Sequence, residues 1–265
     1  MSSLEQVSTP RRDADGRFSV TFEDGWQQGR GAYGGLSLAL LVRAMKHVVA
    51  DASRPLRSLS AMLLAPPMVG EGAIDCEVLR AGAALTALTA RLTQGDALLV
   101  SATGVFAKDR DVEFVGYNSM SRPAIGDFRA VDVVPVGPPI APTFTQHFEF
   151  RPVAGLPFSG GDAACEGWVQ PKIPSVERDE AYLAALADAW WPCLLVREAK
   201  PRPAVTVSFT LDVVGDCAGL DPEAPLYFRS RSDLGRAGFS LETRELYGHD
   251  GRLLAINHQT FALLK

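Results

Sequence analysis

The sequence predicts an α+β protein in which an antiparallel sheet curls around a buried helix, and in which that unit occurs twice. Three observations predict it. In the stretch Gly31 to Val49, the residues from Leu36 to Val42 are apolar on every side of a 3.6-residue turn except for Ser37, so this helix is enclosed rather than laid on a surface. The order strand, helix, four strands is met twice along the chain. Finally, LLVSATGVFA (Leu98 to Ala107), which follows Gly95-Asp96, is echoed by LLAINHQTFA (Leu253 to Ala262), which follows Asp250-Gly251, with four of the ten positions identical.

Each element has a local reason. Arg17 to Phe22 alternates as a strand, and Trp26 precedes the glycine-rich lead-in to the first helix, whose basic residues Arg43, Lys46 and His47 lie at its far end. At about 14 residues this helix is too short for a bilayer, which needs roughly 20. Leu56 to Leu64 is a strand ended by Ala65-Pro66-Pro67, because proline cannot continue a ladder. Ala73 to Leu79, Leu85 to Gln94 and Ala97 to Ala107 follow, separated by the turns Arg80-Ala81-Gly82 and Gly95-Asp96. Between Lys108 and Pro142 five prolines sit among charges and glycines, which reads as an extended connection. Thr143 to Arg151 and Gly167 to Gln170 resume strand character. Asp179 to Trp191 is a second helix, acidic in its first turn and stopped by Pro192. Ala204 to Val214, Pro225 to Ser232, Phe239 to Tyr247 and Arg252 to Leu264 complete the second set. The expected division is a first unit over 1–109, a connection over 110–142 and a second unit over 143–265.

Composition narrows the function classes. A net charge of −5 gives no global attraction for nucleic acid or anionic lipid. The N-terminus carries no apolar run behind its arginines, so neither a leader nor membrane insertion is expected, and a cytoplasmic location is. Four scattered cysteines without a CxxC, and four histidines, predict neither a metal site nor a disulfide framework.

Two duplicated units packed about a pseudo-twofold axis offer two equivalent crevices, so residues polar in one copy and bland in the other mark the working one. Gln259 in the last strand stands opposite Gly104 in the first copy. In Ala204 to Val214, strict alternation puts Val205, Val207, Phe209, Leu211 and Val213 on one face, and Thr206, Ser208, Thr210 and Asp212 on the other. The second copy carries the polar groups.

The order of elements also carries a resemblance. With YGG (Tyr33 to Gly35), LRSLSAMLLAPP (Leu56 to Pro67), EVLRAG (Glu77 to Gly82), HFEFR (His147 to Arg151), GWVQP (Gly167 to Pro171), DEAYLAALAD (Asp179 to Asp188), FTLD (Phe209 to Asp212) and INHQTFALL (Ile256 to Leu264), the chain resembles the type II acyl-CoA thioesterases, the bacterial thioesterase B-like family. The resemblance implies a double hotdog, in which two six-stranded antiparallel sheets each wrap a long helix. It implies hydrolysis of acyl-CoA without a cofactor, by a water held by an aspartate, a threonine and a glutamine of the C-terminal hotdog. Matched onto this sequence, these are expected at Asp212, at Ser232 in place of the threonine with Ser230 as the alternative, and at Gln259.

The remaining expectations concern binding. A thioester hydrolase needs donors for the oxyanion, and the backbone N–H groups of Gly34 and Gly35 at a helix N-terminus supply them. Arg229, Arg231 and Arg236 cluster beside Ser232 and are expected to meet the anionic groups of coenzyme A. A dimer of double hotdogs, joined by sheet edges, is also expected. Two rivals are a non-catalytic acyl-CoA-binding double hotdog and a hotdog hydratase. The hydratase fits less well, since no histidine here has an aspartate five residues before it.

Overall fold

The computed structural model describes residues 2–264. The elements, in chain order, are α1 (Leu4–Val7), β1 (Arg11–Arg12), β2 (Phe18–Phe22), β3 (Gln27–Gln28), β4 (Gly31–Ala32), α2 (Gly34–Val49), β5 (Leu56–Leu63), β6 (Gly70–Ala81), β7 (Leu85–Gln94) and β8 (Ala97–Ala107). After a connection containing one 3-10 turn (Phe128–Ala130), the second half has a 3-10 turn (Thr143–His147), β9 (Phe148–Ala154), β10 (Ala164–Pro171), α3 (Glu180–Ala189), α4 (Leu194–Arg197), β11 (Ala204–Val213), β12 (Leu226–Arg236), β13 (Phe239–Tyr247) and β14 (Leu253–Leu263). Thr143 to Arg151, expected to be strand throughout, begins as a 3-10 turn. Pro142 initiates it, and both the backbone N–H and the hydroxyl of Thr145 fold back onto the Pro142 carbonyl.

The two halves form a double hotdog whose sheets are continuous. A single twelve-stranded sheet runs in the order β1-β2-β6-β7-β8-β5-β11-β14-β13-β12-β10-β9. The seam is the antiparallel pair of β5 and β11, centred on Ser60 opposite Thr210 and flanked by Leu59 opposite Leu211 and Ala61 opposite Phe209. That register is what a twofold axis through the seam requires. The symmetry reaches into irregularities: β5 is bulged against β8 between Leu56 and Ser58, and β11 is bulged against β14 between Thr206 and Ser208. Gly104 sits opposite Leu59 and Leu88, and Gln259 sits opposite Phe209 and Glu242. Leu56, Leu88 and Gly104 are therefore the counterparts of Thr206, Glu242 and Gln259.

Both long helices lie on the concave side of the sheet, and α2 packs against α3. From Gly35 to Met45 every residue of α2 is buried, which is why its apolar character runs all the way round. In α3, every residue from Ala181 to Ala189 is buried, including Asp188. No helix among the described residues is long and apolar enough to cross a membrane.

Candidate active site

The bulge in β11 decides which side chains reach the concave face. A bulge inserts one residue on one strand and so breaks simple alternation. Beyond it, Phe209, Leu211 and Val213 point inward and are buried; before it, Thr206 points inward while Val205 and Val207 are exposed. Thr206 thereby comes onto the side of Gln259, and its Oγ1 donates to Gln259 Oε1 at 3.1 Å. Gln259 is 3% exposed, and its Nε2 donates to Asn257 Oδ1 at 2.8 Å, while Asn257 Nδ2 donates to the Thr210 carbonyl at 2.7 Å. The amide is locked in place from both ends.

Asp188, in the last turn of α3, closes the cluster. The Gln259 side chain and the backbone N–H of Gly35, in the first turn of α2, stand close to its carboxylate and favour its charged form. Burial pushes its pKa up from 3.8 to about 6, against the opposing pull of the Arg244 guanidinium, of Gln259 and of the Gly35 N–H. The carboxylate is thus titratable near neutrality, where an ordinary aspartate is not. The helix ends meet closely because α2 begins with glycines. A Cβ on Gly34 would stand 2.7 Å from Asp188 Oδ2, and one on Gly35 would stand 2.8 Å from the Ala185 carbonyl of α3. Tyr33, fully buried just before α2, carries a hydroxyl with no partner among the described residues, and burial, then the Asp188 charge, raise its pKa well above the ordinary value.

The counterpart crevice in the first half is apolar. There a Cβ on Gly104 would meet Met45 Sδ at 2.6 Å and Leu56 Cδ1 at 3.5 Å. Leu56 and Gly104 occupy the places of Thr206 and Gln259, and Met45 fills the space beside Gly104. Among the described residues, a carboxylate, a hydroxyl and an amide thus converge in one crevice, the one built on the second half.

Of the residues expected from sequence, the structure brings Gln259 into this cluster and leaves Asp212 and Ser232 out of it. Asp212 pairs with Ile256 and Ser58 on the opposite, convex face of the sheet, because it is an odd number of residues from Phe209, the partner of Gln259. Ser232 lies towards the turn between β12 and β13, bonded to Ser240 Oγ at 2.8 Å. Ser230 faces inward and is buried, but its hydroxyl is committed to Glu242 Oε1 at 2.6 Å. Gly34 and Gly35 are at the site: a Cβ on Gly34 would stand 2.7 Å from Asp188 Oδ2, and the Gly35 N–H favours the charged form of Asp188. The arginines are elsewhere: because Phe228 and Ser230 point inward, Arg229 and Arg231 point outward. Arg229 is bound to Glu245 and to the Ser121 carbonyl, Arg231 to Asp233, and Arg236 is exposed at the end of β12. A hollow of about 280 Å³ is lined by Arg229, Arg231, Glu166 and Glu245, and Asp188 is not among its lining residues.

Asp188 and Thr206 were not singled out from sequence. Asp188 was legible in principle, as a lone carboxylate inside the apolar run AYLAALADAWW, where an unpaired charge is costly and calls for a reason. Thr206 was hidden by the bulge.

A helix-wrapping sheet present twice in one chain, with one polar crevice at the junction of its helices, defines the double hotdog class. The profile of the acyl-CoA thioesterase N-terminal domain matches residues 22–107, and that of the acyl-CoA thioesterase C-terminal domain matches residues 124–263. The chain therefore belongs to the acyl-CoA thioesterase family and is an acyl-CoA thioesterase with the double-hotdog fold. Among solved structures it is similar to a hot dog fold protein of unknown function from Alicyclobacillus acidocaldarius (22% identity, 100% of this chain and 99% of that one, TM-score 0.87). It is also similar to the tesB protein of Mycobacterium avium subspecies paratuberculosis (15% identity, 99% and 98%, TM-score 0.78). A third likeness is to the acyl-CoA thioesterase II TesB2 of Mycobacterium marinum (13% identity, 99% and 98%, TM-score 0.76). No curated protein sequence matches the chain.

Proposed function

We propose that the enzyme hydrolyses acyl-CoA thioesters with a water held among Asp188, Thr206 and Gln259. The observation that carries this reading is the convergence of these three groups in one crevice, against Met45, Leu56 and Gly104 in the other. Asp188 takes a proton from the water as its oxygen attacks the thioester carbonyl carbon. A carboxylate titrating at about 6 is a stronger base than an ordinary aspartate and is still mostly ionised at neutral pH. Thr206 and Gln259 orient the water through their hydroxyl and amide. Negative charge developing on the carbonyl oxygen faces the N-terminus of α2, where the first-turn N–H groups have no partner within the helix and the dipole favours an anion. The Gly34 N–H is the donor we assign to it, since that of Gly35 holds the base. Collapse of the intermediate breaks the C–S bond, and the proton held by Asp188 passes to the departing thiolate, leaving free acid and coenzyme A.

The resemblance described above names an aspartate, a threonine and a glutamine, and these three match it in residue type. The test is a thiol-release assay with Asp188→Asn. General-base assistance is worth ~10²–10⁴ in rate, so turnover should fall by that factor in a protein that still folds. A folded variant with undiminished turnover rejects the assignment.

A further inference from the structure

Behind Asp188 lies a second buried cluster. Arg244 on β13 is 1% exposed, and its Nη1 donates to two carbonyls at the end of α3, Ala187 at 2.8 Å and Trp190 at 3.4 Å. Its Nε donates to Glu242 Oε1 at 2.8 Å. Glu242, 2% exposed, also accepts from Ser230 Oγ at 2.6 Å and, through Oε2, from the Cys193 N–H at 3.0 Å. The guanidinium is sandwiched by Phe228 and Phe261, at 5.5 and 5.0 Å from the ring centroids, and its Nη2 has no partner among the described residues. One edge of this cation is therefore uncommitted, and the cation itself is bolted to the residue preceding Asp188.

A structural explanation alone does not account for this pair. Burying an ion pair costs desolvation that its attraction repays poorly, and well-packed apolar residues do the same packing at least as well. The chain itself contains that replacement: the counterparts of Glu242 and Arg244 on β7 are Leu88 and Ala90, both fully buried. The ionic version occurs only in the half that carries Asp188.

Resting on the assignment of Asp188 above, we infer that Arg244, clamped by Glu242, is a positioning residue that fixes the last turn of α3 and holds the Asp188 carboxylate in its charged, water-binding form. Few other charged groups face this carboxylate. β13 contributes Arg244 and Glu242, the segment before α2 contributes the Tyr33 phenol, α2 contributes only the Gly35 N–H, and β14 contributes the neutral amide of Gln259. Arg244 favours the charged form and Glu242 opposes it, Arg244 being the stronger influence.

The two members of the pair should therefore act in opposite directions. The acid limb of kcat/KM for acyl-CoA hydrolysis would be measured in wild type, Arg244→Met, Arg244→Lys and Glu242→Gln, each checked for folding by circular dichroism. With Arg244→Met the limb should move up from about pH 6 by about one pH unit or more, so that activity lost at pH 7 returns at pH 9. Arg244→Lys, which keeps the charge, should restore the limb most of the way, and Glu242→Gln should move it down. A merely structural pair would lower stability and activity at all pH values alike. A limb unmoved in the folded Arg244→Met or Glu242→Gln variant, a limb that Arg244→Lys moves as far as Arg244→Met does, or limbs moved in the same direction by Arg244→Met and Glu242→Gln, would overturn the inference. Asp188→Asn, run alongside, separates the two failures: if it retains full turnover, the assignment of Asp188 is wrong, whereas if it is inactive and the limbs stay put, only the role of Arg244 is.

Discussion

Replacing Asp188 by asparagine should make the protein more stable while stopping its turnover. In the unfolded chain this carboxyl loses its proton near 3.8, and in the folded protein near 6. Between those values the folded state holds a proton that the unfolded state has released, so stability falls as pH rises through that window, and the loss is nearly complete at pH 7. A rise of about two pH units, at ~1.4 kcal/mol each, amounts to about 3 kcal/mol at pH 7 and roughly half of that at pH 5. Asp188 is 7% exposed, so solvent screens little of this. Asparagine keeps the shape and can still accept from the Gly35 N–H, yet it has no charge to bury. Urea unfolding of both proteins at pH 5 and pH 7 isolates the effect, because every other titrating group is common to the two. The gain expected for Asp188→Asn is up to about 3 kcal/mol at pH 7, shrinking at pH 5. A variant less stable than wild type at pH 7, or a difference that does not change with pH, would refute the claim that a charged carboxylate is held there against its burial.

The remaining expectations follow from the same geometry. Thr206→Val, which removes the hydroxyl that meets Gln259, should lower kcat by tenfold or more on the scale of general-base assistance, while Thr206→Ser retains most of it; equal rates for the two would remove Thr206 from the site. Gly34→Ala puts a methyl group 2.7 Å from Asp188 Oδ2 and should cut kcat with the fold intact, as judged by circular dichroism, because the carboxylate must turn away from the water. Asp212→Asn and Ser232→Ala should each leave kcat/KM within about twofold of wild type, since substitutions away from the functional cluster have small effects. A large loss with Asp212→Asn would restore the convex-face residue to consideration.

Much of the architecture was legible because period and punctuation agreed. Leu85–Gln94, Ala97–Ala107 and Phe239–Tyr247 fall where alternation between turns puts them, and α2 and α3 fall where apolar periodicity does. The duplication was legible in the last strands, where Gln259 does stand in the place of Gly104. What failed was inference about faces. Strict alternation from Phe209 assigns Thr206 to the outside, yet the bulge between Thr206 and Ser208 reverses it, and a bulge leaves no residue signature in VTVSF. Asp212 drew attention because it ends a polar line, but that line is the convex face. Asp188 does not stand out from its helix pattern, because the dipole accounts for acidic residues at the first turn of α3, yet one near the C-terminus of a helix is electrostatically misplaced. That misplacement is the signal.

The duplication explains how the fold tolerates this residue. A symmetric pair of crevices, each with a buried carboxylate at the end of one helix and the glycine start of the other, would incur the desolvation cost of about 3 kcal/mol twice, a sizeable part of the 5–15 kcal/mol typical of domain stability. Joining the two hotdogs in one chain lets the crevices diverge. In one, Met45 fills the space that Gly104 leaves, and Lys46 close by meets Asp179 at 2.7 Å and Glu180 at 2.9 Å, so charge there is satisfied and the interior is apolar. In the other, Asp188 sits at about 6 with Gln259 and Thr206 beside it. The first crevice supplies packing, the second bears the strained electrostatics, and the seam of β5 and β11 makes the stability of one available to the other.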